Sequence, residues 1–366
     1  DHRDLHSFPT RRSSDLFLTR TRGRGRLHWS DALAYAYLAL GVILILAPVV
    51  WLFVSSLKSQ RALVESDPRF LPYEQVTTTL PGSPRAVGLV EWTAPDGTVR
   101  VVAQIRPSGA DLVVPDPPKP DETFPVPRRA TRPHEQVRAR TENYTEPTVQ
   151  GSRLGTFYFP RYFVNSTFVT VVATLITLAI SSMAAFALSK YRFRGRDTFM
   201  FLIVATLLMP ATVILVPLFV VVKNFGMLDS LWGVIIPGAA TPTGVFLLRQ
   251  YMLTIPDELI EAARMDSASE WKIYYRIVLP LALPALAVLA ILSIIWRWND
   301  FLWPLVVLAR SESFTLQLGL SSFKGEMNDA THYLLAMTVL TLLPVTFVFA
   351  FLQKYITTGI ANTGMK

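Results

Sequence analysis

The sequence predicts an all-α polytopic membrane protein, and three observations predict it. The 366 residues are 51% hydrophobic and 17% charged, with a mean hydropathy of +0.35. The apolar residues lie in blocks long enough to cross a bilayer, for which about 20 residues suffice. Lys and Arg gather beside those blocks, where they set membrane orientation. The formal charge of +8 is therefore a topological signal, and no nucleic acid is expected as a partner. The chain has no cysteine, which excludes disulfides, thiolate nucleophiles and cysteine-based metal sites.

Residues 1–16 stand apart. His6 to Leu16, HSFPTRRSSDL, resembles the conceptual translation of a short-read sequencing adapter, so residues 1–16 are expected to be non-native and carry no weight in the fold. Arg3, Arg11 and Arg12 balance Asp1, Asp4 and Asp15 there, so the charge reading survives. Residues 17–57 hold an arginine-rich flank, TRTRGRGRLHW from Thr19, and then an apolar run from about Ala32 to Val54. That run is the first transmembrane helix, its basic side cytoplasmic, with Trp29 and Trp51 near the interfaces and Pro48 as a kink.

Residues 58–161 are polar and proline-rich, and read as an extracytoplasmic insert with a small β-rich unit. LVEWTAPDGTVRVVAQI carries β-branched and alternating residues on both sides of Asp96-Gly97, a β-hairpin signal. Val113 to Pro133, with PDPPKP and FPVPRR, reads as a loose, partly polyproline arm. The glycosylation-like triplets at Asn143 and Asn165 read as chance matches or as polar residues at helix starts. Residues 162–366 form the five-helix core, with spans at about Tyr162–Leu188, Thr198–Val222, Leu231–Leu253, Leu283–Leu308 and Tyr333–Tyr355, six in all. Lys190, Arg192, Arg194 and Arg196, then Arg249, Arg264, Lys272 and Arg276, and finally Lys354 and Lys366 fall on one side of the membrane. NFGMLDS and Ser311 to Thr331 fall on the other and are poor in Lys and Arg. Both termini are thus expected in the cytoplasm.

The loop at 254–284 is a charged, helix-forming stretch between two spans. Asp257 and Glu258 follow Pro256 and place negative charge where a helix start favours it. DELIEAARM contains no Gly or Pro, Ser267 suits a break, Ser269 can cap a second helix from Glu270, and Pro280 and Pro284 mark the return to the membrane. The spacing gives a helix, a corner and a helix. These residues resemble the E-A-A-x3-G-x9-I-x-L-P signature of the membrane subunits of ABC importers: Glu261, Ala262, Ala263, then Ile277, Leu279 and Pro280, with Ser267 in place of the glycine. KYRFRGRD, FGMLDS and WNDFLWPL extend the likeness to the carbohydrate-uptake, maltose-type permeases, specifically the second, shorter subunit. The resemblance implies a six-helix permease in a bacterial or archaeal cell membrane. It also implies a homologous second permease, a pair of ABC ATPase subunits and an extracytoplasmic sugar-binding protein as partners, with membrane lipid around them. Glu261, Ala262, Ala263, Ser267, Ile277, Leu279 and Pro280 would then dock the ATPase. The chain departs from that family between Leu71-Pro72 and Asn143-Tyr144, where the relatives carry a much shorter connection than residues 73–141.

No G-x-x-x-x-G-K-[ST] loop is present to hold a nucleotide, and the five histidines form no ligand pair, so no enzyme, metal or cofactor is expected. Arg297, Asn299 and Asp300 interrupt the fifth span, and charges in a span tend to face a bundle interior or an aqueous cavity. Trp298, Asn299 and Asp300 are the expected residues of a translocation path. The alternative is a structural Arg297–Asp300 pair remote from any substrate, and neighbouring aromatics could stack on sugar rings or anchor the interface. An ion-coupled secondary transporter or channel is the rival function, since it too needs polar groups in apolar spans.

Overall fold

The computed structural model describes residues 29–363 apart from 66–68, 80–85, 95, 109–110, 117–118, 151–153, 155–156 and 325–329. The adapter-like residues 1–16 and the arginine-rich flank up to His28 lie outside the described residues. The chain divides into two units, residues 1–51 and 52–366. The described part of the first unit is one helix, α1 (Trp29–Ser56), whose final residues belong to the second; it is apolar on every side and contains Pro48.

In the second unit all the described strands lie between Tyr73 and Val137. β1 (Tyr73–Gln75) pairs antiparallel with β9 (Glu135–Val137). β3 (Ala86–Thr93) pairs with β2 (Thr77–Thr79), β4 (Val99–Ala103) and β8 (Thr131–Pro133). The β3–β4 turn is the expected hairpin: Gly97 takes φ +81°, and Asp96 Oδ1 accepts hydrogen bonds from the Thr98 amide and hydroxyl at 2.9 and 2.6 Å. The expected loose arm is instead folded. β5 (Arg106–Ser108), β6 (Asp111–Asp116) and β7 (Lys119–Pro127) form a three-stranded antiparallel sheet. Proline forbids only its own N–H; β7 is an edge strand, where Pro125 and Pro127 can turn that gap outward, and Pro115 lies at a register irregularity. Val90, Val102 and Val126 form a small core, with Trp92 and Phe124 packed against it.

The base of this β region is stitched to the helices. α2 (Gln60–Val64) and α3 (Glu142–Thr145) flank it. The buried Asn143 donates from Nδ2 to the carbonyls of Ser56 and Lys58 at 2.8 and 2.9 Å, and Lys58 Nζ donates to the Arg69 carbonyl at 2.6 Å. The Tyr333 hydroxyl reaches Glu146, and the His332 ring contacts Gln60 at 3.0 Å. Asn165 is also committed, donating to Glu312 and Phe314 carbonyls at 3.0 Å each. Neither asparagine is presented as a glycan acceptor.

The helical part is α4 (Phe159–Lys190), α5 (Arg196–Thr206), α6 (Ala211–Asn224), α7 (Leu231–Ile235), α8 (Pro242–Met252), α9 (Asp257–Met265), α10 (Glu270–Ile273), α11 (Leu279–Leu281), α12 (Leu283–Trp298), α13 (Leu302–Val307), α14 (Leu316–Ser321) and α15 (Thr331–Thr363). Among the described residues three helices are long and apolar enough to cross a membrane, or up to five if each of two bent pairs is one span. The continuous runs expected for the third, fourth and fifth spans are broken. α5 and α6 meet at 102° across a break that ends at Pro210. Pro237 and Gly238 lie between α7 and α8, which starts at Pro242, and Asn299 to Phe301 separate α12 from α13. Apolar composition sets a span's length, whereas proline and a polar cluster interrupt its hydrogen-bond ladder.

α4 is the spine. Thr170, Thr174, Thr177 and Ser181, spaced four, three and four apart, put small polar side chains on one buried face. Thr174 Oγ1 lies 2.9 Å from Ser293 Oγ on α12, and Ser182 Oγ lies 2.7 Å from the Tyr274 hydroxyl. α8 packs so closely that a Cβ on Gly244 would come within 2.8 Å of Ser181 Oγ. Small and hydroxylated residues at a helix contact are how apolar spans associate in lipid, where burial of apolar surface gives no advantage.

Candidate docking loop and intramembrane cavity

The loop after α8 has the predicted form. Pro256 precedes α9, Asp257 and Glu258 occupy its first turn, and Ser269 caps α10 by accepting from the Lys272 amide at 3.3 Å. Between the helices Ser267 adopts φ +55°, the left-handed conformation that glycine takes without penalty. The sequence did not disclose that Tyr274–Val278 forms a π-helical turn, leading through α11 into α12. Such turns concentrate at functional positions.

The loop is held rigidly to the spine. Lys190, in the last turn of α4, donates to the Ile255 carbonyl at 2.5 Å and to Asp257 Oδ1 at 2.7 Å. That contact, with the added charge of Arg192 and Arg264, holds the Asp257 carboxyl below the usual carboxylate range against the opposing effect of desolvation. Arg264 grips Glu270 across the corner through two bonds of 2.8 and 3.2 Å. Arg249 on α8 donates to the Leu188 carbonyl at 3.1 Å, satisfying a group at the α4 terminus.

The expected docking residues divide between two faces of α9. Glu261 and Ala262 are exposed; Ala263 and Ile260 are buried in this chain's own core with Leu248, Met252, Ile273 and Val278. Ala263 therefore sets how closely α9 lies on α8 and α10. Leu259, Met265 and Trp271 add apolar surface beside Glu261 and Ala262, with Met265 86% exposed and Trp271 66% exposed. Ser267 and Pro280 are exposed, while Ile277 and Leu279 pack against the core cluster.

The expected path residues are separated more sharply. Trp298 is buried against Phe163, and its Nε1 donates to the Thr341 carbonyl at 3.0 Å, so it joins α12 to α15. Asn299 ends α12 with Nδ2 bonded to the Ile295 carbonyl at 2.8 Å. Asp300 alone of the three lines a cavity, of about 450 Å³, with Ser293, Trp296, Arg297, Thr241 and Thr243. Arg297 donates to Thr177 Oγ1 at 3.2 Å and to the Gly238 carbonyl, joining α12, α4 and the α7–α8 turn. Asp300 Oδ1 accepts from the Trp303 amide at 3.3 Å. Thr241, Thr243, Ser293 and Trp296 were not foreseen as a group; the spacing of Leu289, Ser293 and Trp296 on one face of α12 could have shown half of them.

Residues 163–362 match the family described as the binding-protein-dependent transport system inner membrane component. The arabinooligosaccharides transport system permease protein AraQ of Bacillus subtilis is 39% identical over 212 residues, 58% of this chain and 75% of that protein. The sn-glycerol-3-phosphate transport system permease protein UgpE of Pectobacterium atrosepticum is 32% identical over 223 residues, 60% of this chain and 79% of its own. A chain of a bacterial ABC transporter involved in the import of the acidic polysaccharide alginate has the same fold, with a TM-score of 0.62 at 24% identity, covering 91% of this chain and 99% of that one. With more than half of its length matched and relatives aligned over three quarters of theirs, the chain belongs to the binding-protein-dependent transport system inner membrane component family.

Proposed function

We propose that the chain is one of two permease subunits of an ATP-driven carbohydrate importer, with hydrolysis confined to a pair of partner ATPases and solute delivered by an extracytoplasmic sugar-binding protein. The observation that carries this reading is the α9–corner–α10 loop: a short helix tied to the membrane spine at Lys190, with Glu261, Ala262 and Met265 turned outward. A rigid projection with a small residue at its centre can seat in a partner's cleft and pass force to α12 through the π-helical turn. The likeness to AraQ supports an oligosaccharide cargo. Six crossings follow if α7 with α8 makes the fourth and α12 with α13 the fifth. The β region between residues 73 and 141 then lies on the extracytoplasmic side, and both termini of this multi-pass protein lie in the cytoplasm.

The test is reconstitution of the chain with its ATPase, second permease and binding protein in proteoliposomes. ATP-dependent uptake of the sugar retained by the binding protein is expected. Ala262→Trp should abolish the coupling of hydrolysis to uptake while this chain still inserts with its second permease. Uptake by the chain without the ATPase, driven by an ion gradient, would sink the reading.

A further inference from the structure

We propose that the cavity beside α12 is a direct binding site for an uncharged, hydroxyl-rich segment of the transported solute, so that this subunit itself contacts the cargo. The proposal rests on the import reading above. The walls are chemically mixed in the way a sugar ring is mixed. Leu289, Leu292 and the indole of Trp296, which is 59% exposed at the rim, offer apolar surface for the flat face of a ring. Ser293, Thr241, Thr243, Arg297 and Asp300 offer donors and acceptors for its edge.

Two polar atoms there lack a protein partner. Thr241 Oγ1 and Arg297 Nε are both buried and make no hydrogen bond. A buried polar atom without a partner is costly, and each of these belongs to a residue that lines the cavity, so a local side-chain shift on ligand entry would bring it to a hydroxyl. A hydroxyl can accept from the guanidinium and donate to the threonine, whereas an apolar side chain could do neither. The guanidinium is held at the wall by Thr177 and Gly238. Arg297 and Asp300 are the ionisable groups on the wall, and their formal charges cancel. Such a site favours a neutral polyol over a phosphate ester or a uronate, each of which would bring an unbalanced charge into the span. The volume lies in the range of about 300–1,000 Å³ typical of ligand pockets.

The chain contains no cysteine, so Thr243→Cys in the assembled importer places a single thiol of this subunit on the cavity wall. Alkylation by N-ethylmaleimide is followed by mass on this subunit, with arabinotriose, xylotriose or maltotriose present in turn, and separately with sn-glycerol 3-phosphate. At least one neutral trisaccharide is expected to slow labelling fivefold or more, with the phosphate ester leaving the rate unchanged. Trp296→Ala is expected to raise the KM for uptake of that trisaccharide at least tenfold. The proposal is overturned if the thiol does not react in the complex, which would mean that the second permease fills the cavity. It is overturned equally if the phosphate ester protects and no neutral sugar does, or if nothing protects although the wild-type importer takes up a neutral trisaccharide. Failure of the wild-type complex to take up any solute with ATP would instead count against the import reading, and is seen before any label is added.

Discussion

Ala263 and Ser267 show how far a side chain's role could be read before its surroundings were known. Both carry the family spacing, but spacing along a nine-residue helix does not say which alanine faces outward; burial of Ile260 three residues earlier decides it, and puts Ala263 inside. Ala263→Leu is therefore expected to overpack this chain's own core and cost about 1–3 kcal/mol, visible as a lower unfolding temperature of the detergent-solubilised chain. Ala262→Trp should leave that temperature unchanged and act on the ATPase alone. At Ser267 the break was legible from a residue that favours turns, but its handedness was not. A residue with a Cβ at φ +55° carries a penalty of about 1–2 kcal/mol in the left-handed region, so Ser267→Gly should raise the unfolding temperature; a fall would show that the hydroxyl matters more than the backbone. Of the expected path, only Asp300 reaches the cavity. Tryptophan's size argued equally for a sugar platform and a core filler, and only the hydrogen bond from Trp298 to Thr341 resolves it.

α4 and α15 were legible almost end to end, because a long apolar run without an internal break has few alternatives in a bilayer. The shorter helices were not, since hydropathy averages over the breaks at Pro210, Gly238 and Asn299 that divide the third, fourth and fifth runs. The loop at 254–284 was the best-read irregular region, as its caps and corner depend on local chemistry at Ser269 and Ser267. Its anchorage to α4 was invisible, because Lys190 and Asp257 lie 67 residues apart in sequence. That anchorage has a pH signature. Asp257 titrates below a free aspartate, for which the value is about 3.9. Its charged form is therefore favoured by folding: the contribution is fully present above the unfolded value and is lost as pH falls through the folded one. Because Asp257 is largely exposed the contribution is modest. Co-purification of the ATPase should be flat between pH 5 and 8, and a midpoint inside that window would assign the contact to another group.

The second unit carries both the β region and the membrane core, and the two meet where β1 pairs with β9 beside Asn143. That pair closes the base of the region, since the Val76 amide bonds the His134 carbonyl at 2.9 Å. Replacing residues 77–133 by a short glycine-rich turn should leave the helical core folded, checked by an unchanged unfolding temperature, because loop length itself changes stability slowly. A tenfold loss of binding-protein affinity in the same variant would assign the β region to docking, and unchanged affinity would mark it as a passenger. The sequence revealed the hairpin at Asp96-Gly97 but not the sheet around it, as proline content argued for an arm. Arg297 has a consequence for motion. Its guanidinium spans three separate segments, and sliding α12 by one turn would break both of the hydrogen bonds that join them. α4, the Gly238 turn and α12 must therefore travel as one rigid block during a transport cycle. Displacement should be taken up at the 102° elbow between α5 and α6. Spin labels on α4 and α12 should keep a constant separation when ATP binds, while labels on α5 and α6 should change theirs.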